Sequence, residues 1–334
     1  MPNIIHPESE AHWLQLRTQD VTSTESAALV GLHKRLTPFE LYQRKVGAYE
    51  VEFEATERTK WGLRLQDPIA RGIAEDHGVK VRRLSCYARH DSGARMGTSF
   101  DYEIVGLDTT WENTGAGDQL RALYAELGPG LLEIKNVDGL VFRDDWLNDD
   151  DGVEAPAYIE VQLQHQLEVI DREWGVIAAL VGGNRPIVVV RRRDRDVGRV
   201  LLEKVNLLWK QVEHQTPPDP DFRRDLKVIA KLYGYAEPGK ILDATGNERL
   251  LDLAARYKEL SAQAKNLDED RKAIKAELLT QIGDAEKVLL AHGFSISASM
   301  IGPKEISYTR EGYRDFRINI SKRKAVSAAM RGAA

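Results

Sequence analysis

A single cysteine, Cys86, stands among 334 residues, so no intramolecular disulfide can form and a cysteine-rich zinc site is excluded. No apolar run reaches the length of about 18 residues that a membrane-spanning helix needs. The opening stretch, MPNIIHPESEAHW, lacks the basic-then-apolar layout of a signal peptide. A soluble, cytoplasmic protein without a membrane partner is therefore expected. Charge of one sign is also missing: 47 Lys and Arg against 52 Asp and Glu give a net charge of −5. That balance argues against a uniformly basic coat for nucleic acid and leaves room for one basic groove. The eight histidines form no H-E-x-x-H pair, and no G-x-S-x-G elbow occurs. Gly234 to Lys240 comes within one residue of a phosphate-binding loop, but Ile241 stands where a Mg²⁺-holding hydroxyl belongs. Gly115-Ala116-Gly117 lacks the third glycine of a dinucleotide fingerprint.

What is present reads as an α/β chain. At about 150 residues per domain, the length allows one large or two modest domains. Residues 8–32 read as a helix, a break and a second helix that Thr22, Ser23 or Thr24 can cap and Gly31 can stop. Another helix starts from Thr37 and Pro38 and ends before Gly47. A third runs to Gly78 with Ile69, Ile73 and Ala74 on its apolar side. The period then drops to two over 79–89, 94–108 and 130–137, which predicts strands. Residues 112–130, rich in glycine, read as a loop; 155–174 as a helix; 185–193 as a β-branched strand; 200–214 as a helix. The expected first domain covers residues 1–225. Three prolines within 216–221 break the chain, and 226–334 is expected as an extension. Its main signal is an apolar seam from Leu250 through Leu253, Tyr257, Leu260, Ala264, Leu267, Arg271 and Ile274 to Leu278, stepping alternately by three and four residues. That seam predicts a long helix, packed within the chain or paired as an intermolecular coiled coil. Residues 294–299, 305–309 and 315–320 read as short strands, and the tail from 321 is basic.

The remaining chemistry lies in carboxylates and one lysine. Asp101 ends a strand-like run, and Glu133 and Lys135 flank Ile134 within another. Alternation puts Glu133 and Lys135 on one face of that strand and Ile134 in the core. Asp101, Glu133 and the backbone carbonyl of Ile134 supply the oxygen ligands a hard divalent cation prefers. Lys135 on the same face can position or deprotonate a water for metal-assisted hydrolysis of a phosphodiester.

The order of motifs resembles the YqaJ-type viral recombinases, a group similar to bacteriophage lambda exonuclease within the PD-(D/E)XK nucleases. The matching pieces are Trp13-x-x-x-Arg17, Val21-Thr-Ser-Thr-Glu25, Gly31-Leu32, Pro38-Phe-Glu-Leu-Tyr42, Gly62-x-x-Leu65-Gln66-Asp67-Pro68-Ile69-Ala70, Ser99-Phe100-Asp101, Glu133-Ile134-Lys135-Asn136 and Gln162-Leu-Gln-His-Gln166. The resemblance implies a restriction-endonuclease-like core, a central mixed sheet flanked by helices, with a long C-terminal helix and a small β unit added. It implies that Asp101 and Glu133, with the carbonyl of Ile134, hold Mg²⁺ or Mn²⁺. In the same reading Lys135 is the catalytic lysine and Gln162 supports the site, while Arg17 and Thr24 receive a terminal 5′-phosphate. A guanidinium fork with a hydroxyl suits a doubly charged phosphate.

Three departures from the family pattern stand out. Ser99-Phe100-Asp101-Tyr102 replaces the usual Ser-Pro-Asp-Gly, residues 106–130 lengthen the gap before Glu133, and Gln66 falls where the family carries a helical glutamate. Asp67 is adjacent, but one residue along a helix turns a side chain by about 100°, so it does not substitute automatically. The function implied is a metal-dependent exonuclease on linear double-stranded DNA. It would degrade the 5′-terminated strand to mononucleotides and leave 3′ overhangs for recombination. The alternative is a DNA-end-binding protein of nuclease fold with weak or no cleavage, because Gln66 replaces the glutamate. By the same resemblance the partners are DNA ends, a single-strand annealing protein and further copies of the chain in a ring-like trimer, in a bacterial cell of phage or prophage origin.

Overall fold

The computed structural model describes residues 2–50, 56–111, 118–150, 152–310 and 312–319. The Gly115–Gly117 pair and the basic tail lie outside the described residues. Two compact units follow one another in sequence, dividing between Leu232 and Tyr233.

The first unit opens with strand β1 (Asn3–Ile5), helix α1 (Glu10–Gln19), the two-residue strand β2 (Val21–Thr22) and helix α2 (Ser23–Leu29). Helix α3 (Pro38–Lys45) starts as its sequence requires: Thr37 accepts from the amide of Glu40, and proline occupies the first turn. Helix α4 (Glu57–His77) buries Ile69, Ala70 and Ile73 and ends at Gly78, whose φ of 58° suits a residue without a Cβ.

Strands β3 (Val79–Arg83), β4 (Tyr87–Arg89), β5 (Met96–Ser99) and β6 (Tyr102–Leu107) do not form one sheet. β1, β4, β5 and β2 make a four-stranded sheet, whereas β3 and β6 belong to a five-stranded sheet in the order β3-β6-β7-β8-β9, with β7 (Gly130–Val137), β8 (Trp174–Val181) and β9 (Arg185–Arg192). The β7–β8 pair is parallel and the rest of this sheet is antiparallel. Between β3 and β6 the chain therefore crosses between sheets twice, at 84–86 and at 100–101. Each apparently continuous strand of the sequence, 79–89 and 94–108, breaks at such a crossing. Asp101 sits in the second one.

Helices cover both faces of the larger sheet. On one face Ile69 and Ile73 of α4 pack with Leu132 and Ile134 of β7 and with Leu120 and Leu123 of α5 (Asp118–Leu127). On the other, Ile159, Leu163 and Leu167 of α7 (Ala157–Ile170) pack with Leu131 and Val137 of β7 and with Phe142 of α6 (Gly139–Asp145). Fully burying one such aliphatic side chain contributes about 1.5–3 kcal/mol. The two faces of β7 thus segregate as alternation requires. α5 corrects the expected loop over 112–130: Leu120, Leu123, Tyr124 and Leu127 recur at helical spacing and cover the sheet. Helix α8 (Arg195–Glu213) buries Leu201, Val205, Leu208 and Trp209. α9 (Leu226–Leu232) and the fully buried Asp225, which accepts from the hydroxyl of Thr37, carry the first unit past residue 225.

The second unit is built on α10 (Glu248–Ile282), capped by Asn247 and stopped at Gly283. None of its residues is buried, and the seam leucines lie exposed. β10 (Lys287–Leu289) and β11 (Ser295–Ser297) form an antiparallel hairpin. The strands expected over 305–309 and 315–320 are absent among the described residues. Ile306 and Tyr308 lie exposed. Residues 234–247 hold neither strand nor helix, so the near match to a phosphate loop has no frame. Among the described residues no helix is long and apolar enough to cross a membrane.

Candidate active site

The crossing at Phe100–Asp101 builds the site. The β6–β7 ladder reaches Tyr102↔Leu132 and stops, because the chain bends away into the other sheet. The next amide of β7 on that side would be unpaired. Asp101 supplies the partner: its Oδ2 accepts from the Ile134 amide at 2.9 Å. Its Oδ1 accepts from the side-chain amide of Gln66 on α4 at 2.8 Å. Asp101 is thereby fixed between the sheet and α4.

Glu133 and Lys135 share the opposite face of β7 from Ile134 and point toward α7. Lys135 Nζ donates to Glu133 Oε1 at 2.5 Å and to Gln162 Oε1 at 3.1 Å. Gln162 Nε2 donates to the same Glu133 oxygen at 2.6 Å. Gln166 Nε2 donates to the other, Oε2, at 2.9 Å and also to the Ser99 carbonyl. Glu133 and Gln166 are 5% and 2% exposed, so these bonds replace water rather than compete with it. Gln166 is a residue the sequence reading left without a role. Its signal was the i, i+4 spacing from Gln162, which places two amides on one face of a helix.

Electrostatics follow from burial. Burial first, then the nearby charge of Glu133, pushes the Asp101 carboxyl up to about 7, against the pull of the Ile134 amide, Lys135 and Arg83. Burial alone would lower Lys135, but the charge and hydrogen bond of Glu133, with Asp101 behind, hold it above its ordinary value. Lys135 is therefore an ammonium. Two buried carboxylates against one lysine leave excess negative charge, which a hard cation would relieve. Among the described residues no group of three or more His, Cys, Asp and Glu side chains gathers at one point. A cation here would have two carboxylates and the Ile134 carbonyl to draw on, a donor set of the kind Mg²⁺ accepts alongside waters and substrate phosphate.

Asp67 does not fill the place of Gln66. It pairs with Arg71 one turn along α4 and accepts from the Tyr102 hydroxyl at 3.2 Å.

Arg17 and Thr24 meet beside this centre. Arg17 Nη2 donates to Thr24 Oγ1 at 3.3 Å, and the guanidinium lies 4.8 Å from the ring centroid of Trp13. Among the described residues no carboxylate pairs with Arg17. Trp13 Nε1 donates to Ser99 Oγ at 2.7 Å, two residues before Asp101, which ties α1 to the crossing. Behind Arg17, Lys45 is 3% exposed at its side chain and donates to the carbonyls of Arg17 and Asp20 and to Glu25, holding the α1–α2 turn in place. His165 is fully buried and meets the Gly97 carbonyl at 3.2 Å.

Residues 12–173 match the model of the YqaJ-like viral recombinase domain, the family that the motif order resembles. The uncharacterized protein YqaJ of Bacillus subtilis (strain 168) is 24% identical over 282 residues, spanning 83% of this chain and 80% of that protein. Among solved structures, the alkaline exonuclease LHK-Exo from Laribacter hongkongensis aligns with a TM-score of 0.45 at 16% identity, covering 66% of this chain and 100% of that one. A phage related exonuclease from Haemophilus somnus 129PT aligns with a TM-score of 0.36 at 13% identity, covering 63% of this chain and 89% of that one.

Proposed function

We propose that this protein is a divalent-metal-dependent exonuclease acting on linear double-stranded DNA, degrading the 5′-terminated strand to mononucleotides and leaving a 3′ single strand. The observation that carries this reading is the Asp101–Glu133–Lys135 constellation, in which the half-buried Asp101 is bonded to β7 and the buried Glu133 carboxylate and the half-buried Lys135 ammonium share one face of it. Asp101, Glu133 and the Ile134 carbonyl would hold Mg²⁺ or Mn²⁺. Bound there, the ion supplies Lewis-acid stabilisation of charge developing on the phosphate and makes water more acidic. Gln162 and Gln166 fix both oxygens of Glu133 and so hold its carboxylate plane. Lys135 is charged, so it acts by donating hydrogen bonds that position the attacking water and the phosphate oxygens, rather than by taking a proton as a base. Arg17 and Thr24 would receive the 5′-phosphate, and Trp13, bonded to Ser99, sets the step from that phosphate to the cutting centre.

One observation favours the second reading, an end-binding protein with weak cleavage: Gln66 offers Asp101 a neutral amide where a carboxylate would add charge for a cation. Incubating the full chain with Mg²⁺ and a 5′-phosphorylated linear duplex separates the two. Release of mononucleotides that stops on chelation supports the exonuclease. End binding without release supports the alternative. Assembly as a ring and hand-over of the exposed strand to an annealing protein belong to the same proposal, and analytical ultracentrifugation tests the first of them.

A further inference from the structure

Arg83 closes β3 directly across from Tyr102, the residue after Asp101. Cross-strand partners share a face of the sheet, so Arg83 lies on the side where Tyr102 bonds to Asp67 and Gln66 bonds to Asp101. Its neighbours in the chain are committed. Arg82, with Arg172 from the turn after α7, is bonded to the buried carboxylate of Glu103. The Leu84 amide donates to the Asp101 carbonyl. Asp67, the nearest exposed carboxylate on that side, is already paired with Arg71. Arg83 itself makes no hydrogen bond or ion pair with any described residue. An exposed arginine beside the Asp101 carboxyl, its side chain left without a hydrogen-bond or ion-pair partner among the described residues, is charge placed for something the protein does not contain.

The surroundings give that something a location. Arg83 to Cys86 form the shared rim of two adjoining cavities. One, of about 410 Å³, is also lined by Trp13, Ser99 and Phe100. The other, of about 690 Å³, is lined by Arg82, Arg172 and Glu103. Trp13, which carries Arg17 over its ring, and Phe100, the residue before Asp101, both line the smaller cavity with Arg83. Both cavities are large enough for a nucleotide-sized group. We infer that Arg83 binds a backbone phosphate of the DNA strand, at a position separate from the terminal 5′-phosphate assigned to Arg17. This rests on the exonuclease reading for its substrate and adds a contact that neither the motifs nor the carboxylate centre supply. The phosphate is held by a forked guanidinium, the geometry suited to two phosphate oxygens at once. Arg83 is in these terms a positioning residue: it sets the register of the strand and touches neither the cation nor the water.

The test compares wild type with Arg83→Gln and Arg83→Lys. Binding of a linear duplex is followed by fluorescence anisotropy in chelator over a salt series, and digestion is followed in Mg²⁺. Arg83→Gln is expected to weaken binding roughly ten-fold and to lower the slope of log affinity against log salt by about one, the signature of one lost phosphate contact. The loss falls equally on 5′-phosphorylated and 5′-hydroxyl ends and enters KM rather than kcat. Arg83→Lys recovers the salt slope and part of the affinity. Identical binding curves and slopes for wild type and Arg83→Gln overturn the inference, as does a change confined to Mg²⁺ affinity, which would make Arg83 an electrostatic neighbour of Asp101 alone. Wild type that binds the duplex without cutting it removes the exonuclease reading, and the binding curves still decide Arg83. Wild type that binds no DNA overturns both.

Discussion

Gln66 holds Asp101 through a single hydrogen bond of 2.8 Å from its amide nitrogen, so one oxygen of the most strongly perturbed carboxyl in the site is taken by a neutral donor. A cation drawn to Asp101 must compete with that bond or turn the amide so that its oxygen faces inward. Gln66→Glu replaces the donor with a third carboxylate. Calorimetric titration of Mn²⁺ or Mg²⁺ into the variant is expected to show about ten-fold tighter binding, or ~1.4 kcal/mol. Turnover at limiting metal should rise with it. Equal affinities would mean that Gln66 does not bear on the cation.

Lys135→Ala removes the ammonium bonded to Glu133. Cleavage is expected to fall by about 10²–10³-fold, the range for loss of one preorganised hydrogen-bond donor to developing charge. The same change leaves a buried carboxylate without its cation, so the metal-free variant should melt at a lower temperature than wild type. Divalent metal should restore more of that loss in the variant than it adds to wild type. Wild-type turnover in Lys135→Ala would remove the lysine from the mechanism.

Arg17→Ala is expected to slow digestion of 5′-phosphorylated ends by roughly 10–100-fold at constant salt, the equivalent of one charge-assisted hydrogen bond. Ends bearing only a hydroxyl should be far less affected. Matched duplexes digested side by side decide it: equal loss on both would make Arg17 a general backbone contact.

Burial depresses the His165 imidazole from 6.5 to about 3. The unfolded chain takes up a proton there as pH falls below 6.5, while the folded chain does not until about 3. The contribution of His165 is therefore fully present above 6.5 and is lost on acidification through that window, at up to about 1.4 kcal/mol per pH unit. Asp101, raised toward 7, works in the opposite sense in metal-free protein. The comparison that isolates His165 is thus urea denaturation of wild type and His165→Gln at neutral and mildly acid pH. The variant should lose less stability between the two, and parallel losses would count against a neutral buried imidazole.

The sequence pattern carried much of this site and less of its frame. Asp101, Glu133 and Lys135 are separated by up to 34 positions, yet alternation on β7 was enough to put Glu133 and Lys135 on one face and Ile134 in the core. The caps at Thr37 and Gly78 were equally local and equally legible. What periodicity could not show was where a β-patterned run leaves one sheet for another. Residues 94–108 keep a strand-like pattern throughout, and only their pairing partners, β4 on one side and β3 and β7 on the other, divide them. For the same reason the bond from Gln166 to Glu133 was hidden: it is a contact across 33 positions between a helix and a strand that share no local signal. The short strands expected after 300 failed conversely: their composition suits a strand, but Phe316 packs edge-on against Tyr257 of α10 and the Ile318 carbonyl accepts from Lys258, so that segment meets a helix and not a strand.

The amide that Asp101 captures from Ile134 lies where the β6–β7 ladder ends, so its only acceptor on that side is a titrating side chain. In a nuclear magnetic resonance spectrum, the chemical shift and solvent-exchange rate of this one amide proton should follow the charge on Asp101. The backbone of β7 thus contains its own indicator, able to report proton uptake or cation arrival in a protein that has been given no DNA to cut.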